Sequence, residues 1–234
     1  MYTELKLTHV QDTLRKLASR IRERFPDSGL SQVSAELCTI ADETGPVLDR
    51  LRRPYWPVRI GVGAAVVLLL VLSGGLIALV GSQSLEIDGV SSTLQAVESA
   101  AQDLIFLGVA IFFLVTIEGR LKRRVALRDL RNLRAIVHIV DMHQLTKDPE
   151  HLLGSTERTA SSPERQFTRF ELSRYLDYCS ELLSLSSKLA ALHAQCVNDP
   201  VVLDAVNDIE VLAANLSNKI WQKIDILDTM PGVE

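Results

Sequence analysis

The stretch IGVGAAVVLLLVLSGGLIALVG, residues 60–81, decides the fold. From Ile60 to Val80 it contains no charged residue, no amide and no histidine, and Ser73 carries its only hydroxyl. These 21 residues would reach about 31 Å as an α-helix, which matches a hydrocarbon core of roughly 30 Å. The segment therefore predicts a first membrane span over about residues 58–81.

A second apolar run, Leu104–Ile117, follows after a short acidic segment. Its 14 residues would reach only about 21 Å, which is too short to cross a bilayer comfortably. Either the helix begins earlier, near Ser92, or the bilayer thins locally. The first solution is favoured, because only two isolated glycines interrupt the segment between Ser92 and Lys147. A second span is predicted over about residues 97–118, continuing beyond the membrane as the same helix.

Basic residues predict the orientation of this hairpin. Eleven of them flank the two apolar runs, whereas residues 81–103 contain no lysine or arginine. The positive-inside rule therefore places both termini in the cytoplasm and the loop, residues 82–96, outside. The basic side chains expected to determine topology and to contact lipid headgroups are Arg52, Arg53, Arg120, Lys122, Arg123 and Arg124.

The remaining chain predicts soluble helices, so the fold class is an all-α membrane protein. A two-span helical hairpin, residues 57–120, is joined to a cytosolic helical bundle or coiled-coil module. The predicted parts of that module are N-terminal helices in residues 1–53, an extension of the second span in 121–148, a linker in 149–167 and an antiparallel helical hairpin in 168–228. Within the first part, Gly45-Pro46 predicts a break or kink.

Polar residues at the helix starts support these bounds. Thr168 and Glu171 have the spacing of a capping box. Asp199 and Pro200 suit an N-cap followed by the first helical residue. Between Leu130 and Val140, apolar residues recur in steps of three and four, and such a seam needs a packing partner.

Composition excludes several function classes. A net charge of −4 disfavours general nucleic-acid binding. Cys38, Cys179 and Cys196 are widely spaced and include no CxxC pair, which indicates three buried thiols rather than disulfides or a zinc site. No phosphate loop, nucleophile elbow or metalloprotease motif is present. The sequence therefore predicts neither an enzyme nor a bound cofactor.

The stretch His138-Ile-Val-Asp141-Met-His143 is the one segment that resembles a chemical site. His138 and Asp141 would share a helix face, but His143 would lie about 140° from His138 around the axis. The interpretation favoured is a structural His–Asp pair at the end of a long helix. A metal site and a pH-responsive contact are the weaker alternatives.

Acidic and aromatic residues of the second span are candidates for lining a pore. Acids close to hydrocarbon should face water or a partner, and rings of acids favour cations. The candidates are Glu98, Asp103, Phe106, Phe113 and Glu118. The interpretation favoured for the acids is that Asp103 extends outward and Glu118 pairs with Lys122 four residues later.

The layout resembles the SLATT-type two-span effector modules of bacterial nucleotide-signalling and conflict systems, over roughly residues 30–147. The stretch HIVDMHQLTKDP is similar to an uncharacterised bacterial family of two-span membrane proteins. The resemblance implies an inner-membrane, pore-forming module and implies no site residue.

Two functions follow as expectations. The first is a homo-oligomeric, multi-pass protein of the bacterial inner membrane that forms a cation-conducting pore, assembled and gated by its cytosolic helices. The second is a membrane-tethered helical scaffold or adaptor that binds a cytosolic protein. The partners expected are therefore the lipid bilayer, other copies of the chain and a cytosolic protein, but no nucleic acid.

Overall fold

A computed structural model describes residues 4–83, 90–149 and 167–229. Within these ranges the chain is all-helical and contains no strand. The helices are α1 (Leu7–Arg24), α2 (Gly29–Arg52), α3 (Trp56–Gln83), α4 (Val90–Leu145), α5 (Arg169–Ala194) and α6 (Pro200–Thr229). They divide into two compact units. We call residues 53–122 the apolar unit, and residues 1–52 with 123–234 the core unit.

Two helices are long and apolar enough to cross a membrane. They are α3 and α4, and the most apolar stretch of each has no residue buried inside the protein. Leu68 and Val71 of α3 are 59% and 65% exposed, and Phe106 of α4 is 72% exposed. So much apolar surface outside a core is unusual for a soluble monomer. This part of the fold agrees with the two predicted membrane helices.

Helix α4 contains 56 residues without interruption, from Val90 to Leu145. It therefore begins close to the predicted Ser92 and ends three residues before Asp148. The centre of the predicted loop, residues 84–89, and most of the predicted linker, residues 150–166, lie outside the described residues.

Apolar stripes from five helices form the hydrophobic core of the core unit. The seam predicted on α4 is part of it, since Leu130, Leu133, Val137 and Val140 are all at most 2% exposed. Leu182 and Leu189 of α5 are completely buried. Burying one leucine contributes on the order of 1.5–3 kcal/mol. These stripes supply the packing partner that the seam on α4 requires.

Side-chain contacts give the directions of these helices. Along α4 and α6, Arg123 pairs with Asp199 and Arg134 with Asp208. The last part of α4 then meets Lys223, whose Nζ donates to the carbonyl of Gln144 at 3.0 Å. Because both sets of residue numbers increase together, α4 and α6 run in the same direction. Two neighbouring helices of this kind leave a groove along their line of contact.

Two helix starts in the core unit, those of α5 and α6, have the predicted caps. Thr168 and Glu171 form a complete capping box at the start of α5. The Oδ1 atom of Asp199 accepts from the backbone N–H groups of Val201 and Val202 at 3.0 and 3.3 Å. These bonds satisfy amide donors that have no partner within the first turn of a helix.

Two sequence expectations about the core unit are wrong. Of the predicted break or kink at Gly45-Pro46, the break is absent: helix α2 continues through Pro46, because residues on both sides of it, including Ile40 and Leu48, are held in the core. Only Cys179 is a buried thiol, whereas Cys38 and Cys196 are partly exposed. Burial raises the pKa of the Cys179 thiol well above its ordinary value, so this side chain stays protonated and packs as an apolar group.

Truncating Leu189 to alanine should lower the free energy of unfolding of the core unit by about 2–5 kcal/mol, since it leaves a cavity among completely buried side chains. Leu145→Ala is the matched control, because Leu145 is 62% exposed. Denaturation of the full chain in detergent, followed by circular dichroism, would measure both variants. Equal stability of the two variants would show that α5 does not pack as described.

Candidate functional site

Four arginines follow one edge of helix α4 in the core unit. Arg124, Arg128, Arg131 and Arg134 are all exposed. Steps of three and four residues keep side chains on one side of an α-helix. From the first to the last, the backbone advances about 15 Å at 1.5 Å per residue. The result is an extended row of positive charge.

This row borders a cavity of about 450 Å³ between α4 and α6. We call it the arginine groove. Its lining residues are Arg124, Leu127, Arg128, Leu130, Arg131, Arg134, Ala205 and Ile209. Leu130 and Ile209 are buried, and Leu127 and Ala205 are partly exposed. The groove therefore combines an apolar floor with a cationic edge.

The charge of the groove is only partly neutralised by the protein. Arg131 Nε donates to the Leu127 carbonyl at 3.3 Å. Arg134 lies 3.9 Å from Asp208, and both side chains are more than half exposed, so this ion pair is weak. Within the described ranges, no carboxylate lies within ion-pair distance of Arg124 or Arg128. The positive potential of the row is therefore available to a ligand.

A second polar cluster is buried in the core unit and joins three helices. Asp129 of α4 places its Oδ2 atom 2.7 Å from His193 Nε2 of α5. The Thr44 hydroxyl of α2 lies 3.1 Å from the same oxygen. Asp129 is 7% exposed, and the other two side chains are fully buried. Because buried polar groups need partners, this cluster constrains how the three helices align.

Both ring nitrogens of His193 lie within hydrogen-bond distance of a partner. The Nδ1 atom lies 3.1 Å from the Leu189 carbonyl, which can only accept, so Nδ1 carries a proton. The Nε2 atom faces the carboxylate of Asp129 at 2.7 Å, so both ring nitrogens of His193 have a partner.

This arrangement does not match a nucleophilic triad. In a triad the histidine contacts the hydroxyl and the carboxylate lies behind it. Here the carboxylate of Asp129 stands between Thr44 and His193. The hydroxyl also lies 2.8 Å from the Ile40 carbonyl of its own helix. The geometry suits alignment of helices rather than attack on a substrate.

The apolar unit has its own charged cluster around Glu118. The Oε2 atom of Glu118 lies 2.6 Å from Arg59 Nε, and its Oε1 atom lies 3.1 Å from Lys122 Nζ. The backbone N–H of Tyr55 donates to Oε1 at 3.4 Å. The i+4 pairing with Lys122 is therefore present, and Arg59 of α3 joins it. This cluster links the start of α3 to α4.

The other pore candidates are not gathered into one site within the described residues. Phe106 and Phe113 are 72% and 50% exposed, and Glu98 is also exposed. Glu98 and Glu118 lie 20 residues apart on α4, which corresponds to about 30 Å along a helix. The side chain of Asp103 lies outside the described residues.

The basic residues predicted to contact headgroups have diverse partners. Arg52 Nε donates to the sulfur of Cys196 at 3.3 Å. Arg120 lies over the ring of Phe113, 4.9 Å from its centroid, and Arg53 is exposed. Arg123 approaches Asp199 to 2.6 Å. Burial alone would raise the pKa of Asp199, but the hydrogen bonds from Arg123 and two backbone amides outweigh burial and lower it.

The predicted His–Asp stretch does not form a metal site among the described residues. His138 is exposed, whereas Asp141 accepts a hydrogen bond from Gln144 Nε2 at 2.6 Å. His143 packs against Gly29, where an added Cβ atom would clash with the imidazole ring. The favoured His138–Asp141 pair is replaced by the Asp141–Gln144 contact.

Sequence reasoning missed the Thr44–Asp129–His193 cluster because its members are distant in the sequence. Asp129 and His193 are 64 residues apart, and Thr44 and Asp129 are 85 residues apart. The sequence feature that points to these residues is the helical period of the buried positions. Asp129 lies beside Leu130 on the buried side of α4, and His193 follows Leu189 by one turn of α5. A polar residue in a buried register demands a partner, but the period alone does not identify it.

No family model, curated protein or solved structure matches this chain. The resemblance to SLATT-type modules and to the uncharacterised bacterial family therefore stays a prediction.

Replacing Asp129 with alanine should destabilise the core unit by about 1–3 kcal/mol, because it leaves the buried His193 ring without its hydrogen-bond partner. Asp204→Ala, at an exposed position of α6, serves as the control. The double variant Asp129→Leu with His193→Leu should recover much of the loss, since it removes both polar groups. Chemical denaturation in detergent would measure all three. If Asp129→Ala matches the control, the carboxylate does not hold the cluster together.

Proposed function

We propose that this protein is a membrane-tethered helical scaffold. In this proposal α3 and the first part of α4 form a two-span hairpin in the bacterial inner membrane, and the core unit lies in the cytosol. The observation that carries it is the contrast in burial between the two units. The apolar surfaces of α3 and α4 are exposed, whereas the core unit buries its apolar stripes in a core of its own.

The distribution of charge supports this orientation. Basic residues flank the hairpin and are absent from residues 81–103, as expected if the core unit is on the cytoplasmic side. Glu118 would lie at the inner end of the second span. Its contacts with Arg59 and Lys122 neutralise the carboxylate, which lowers the cost of holding it beside hydrocarbon.

Cysteine labelling in intact cells would test this topology. In a background with Cys38, Cys179 and Cys196 replaced by alanine, a cysteine at Ser91 should react with a membrane-impermeant maleimide, because the start of α4 faces outward in this topology. A cysteine at Lys16, an exposed position of α1, should react only after the cells are lysed. The reverse pattern would contradict the orientation, and reaction at neither position before lysis would contradict membrane insertion.

A homo-oligomeric, cation-conducting pore is the second candidate. The small residues of α3 support self-association, because added Cβ atoms at Gly61 or Gly74 would meet no neighbouring atom. Such surfaces allow close approach of helices in a membrane. The exposed rings of Phe106 and Phe113 would then be available to line a narrow passage. Two spans in one chain provide too little wall for a pore, so this function requires several copies.

Planar-bilayer recording of the purified protein would separate the two candidates. A pore should pass cations in preference to anions, and Asp103→Asn should reduce that preference by removing a ring of negative charge. The oligomeric state in detergent, from light scattering, is the accompanying measurement. A folded protein that inserts in the membrane but conducts nothing would leave the scaffold as the proposed function.

A further inference from the structure

The arginine groove has the features of a docking site for a helix. Its floor runs between two helices that point in the same direction, and a third helix can lie in such a groove. The floor is made by Leu127 and Leu130 of α4 together with Ala205 and Ile209 of α6. These apolar groups would contact the apolar face of an amphipathic helix.

The charge of the groove specifies the polar edge of that helix. Its four guanidinium groups are spread over about three helical turns instead of converging on one point. A small anion could contact only one or two of them. A helix with acidic side chains in steps of three and four would instead meet them in sequence, because helix surfaces repeat at that spacing. Arginine also suits carboxylates, since it can donate two parallel hydrogen bonds.

Helix α6 argues against a nucleic acid in the groove. Asp208 approaches Arg134, and Asp204 lies one turn earlier on α6, where both carboxylates are exposed. A phosphodiester backbone carries a charge at every nucleotide and would meet these carboxylates along its length. An amphipathic helix can carry acids on the edge beside α4 and neutral residues on the edge beside α6.

We propose that the arginine groove binds an acidic amphipathic helix of a partner protein. This inference rests on the proposed scaffold function and deepens it, because it names the docking surface and the chemistry of the partner. The Arg124 and Arg128 side chains would pair with carboxylates of the bound helix, and Leu127 and Ala205 would pack against its apolar residues.

The test uses the full chain in nanodiscs and a fluorescent 14-residue synthetic helix as the probe. The probe has leucines on one face and glutamates at positions i, i+4 and i+7 on one edge. Two control peptides carry glutamine or lysine in place of glutamate. We expect the glutamate peptide to bind roughly tenfold more tightly than the glutamine peptide, the lysine peptide not to bind, and added salt to weaken binding.

Variants of the protein assign the binding to the groove. Arg124→Gln with Arg128→Gln should weaken the glutamate peptide by roughly tenfold, whereas Lys16→Gln, an exposed cation on α1, should change nothing. Ala205→Trp should block binding by filling the floor without altering charge. Circular dichroism and the labelling test above would be repeated on each variant to confirm folding and insertion.

Several results would overturn this inference. One is binding of the three peptides with equal affinity, and another is binding that the arginine substitutions leave unchanged. A third is arginine-dependent binding of a single-stranded DNA oligonucleotide without peptide binding. A fourth is a change of oligomeric state in the arginine variants, which would show that a second copy fills the groove. Correct labelling without peptide binding would leave the membrane anchor intact and reject only the groove. Incorrect labelling would reject the proposed function itself.

Discussion

Exposed apolar surface on α3 and α4 is the constraint on which the proposed organisation depends. Water solvates such surface poorly, and no side chain of the most apolar stretches is buried within the protein. Lipid can cover this apolar surface without any further contact from the chain. It also accommodates α-helices, because their backbone N–H and C=O groups are hydrogen-bonded within the helix. The glycines at positions 61 and 74, which no neighbouring atom approaches, are accommodated equally well by lipid or by another copy.

In the core unit, by contrast, the apolar stripes of the helices pack against one another and are buried. Apolar contacts alone do not define a unique register between two helices, because leucines at similar spacing can pack in more than one alignment. The Thr44–Asp129–His193 cluster adds a directional constraint, since each hydrogen bond is satisfied at one alignment of α2, α4 and α5. Lys223 adds a second constraint of this kind, because its Nζ atom donates to the carbonyl of Gln144 in the last turn of α4 and to that of Lys147 just beyond the helix. Burial lowers the pKa of Lys223, but the carbonyl partners remain suitable acceptors.

Patterns within one helix were readable from the sequence, whereas contacts between helices were not. The three-to-four spacing of Leu130, Leu133 and Val137 predicted a buried face, and the structure confirms it. The caps at Thr168 and Asp199 depend on neighbouring residues and were also predictable. The helix break expected at Pro46 is absent, because a local rule for helix breaking does not include the packing on either side. The Asp129–His193 contact depends on tertiary structure, and the groove depends on which face of α6 meets α4.

Tertiary contacts also separate basic residues that look alike in the sequence. Arg123 and Arg124 are neighbours, yet Arg123 is engaged with Asp199 while Arg124 borders the groove. In the apolar unit, Arg59 and Lys122 are engaged with Glu118. Counting charges in the sequence gives all four of these basic residues the same role, as determinants of membrane topology. Their contacts divide them into residues that hold the fold together and residues whose charge is left for a ligand. Because the first set is already paired with carboxylates, the proposed recognition of an acidic partner would depend mainly on the second set, of which Arg124 and Arg128 are the clearest members.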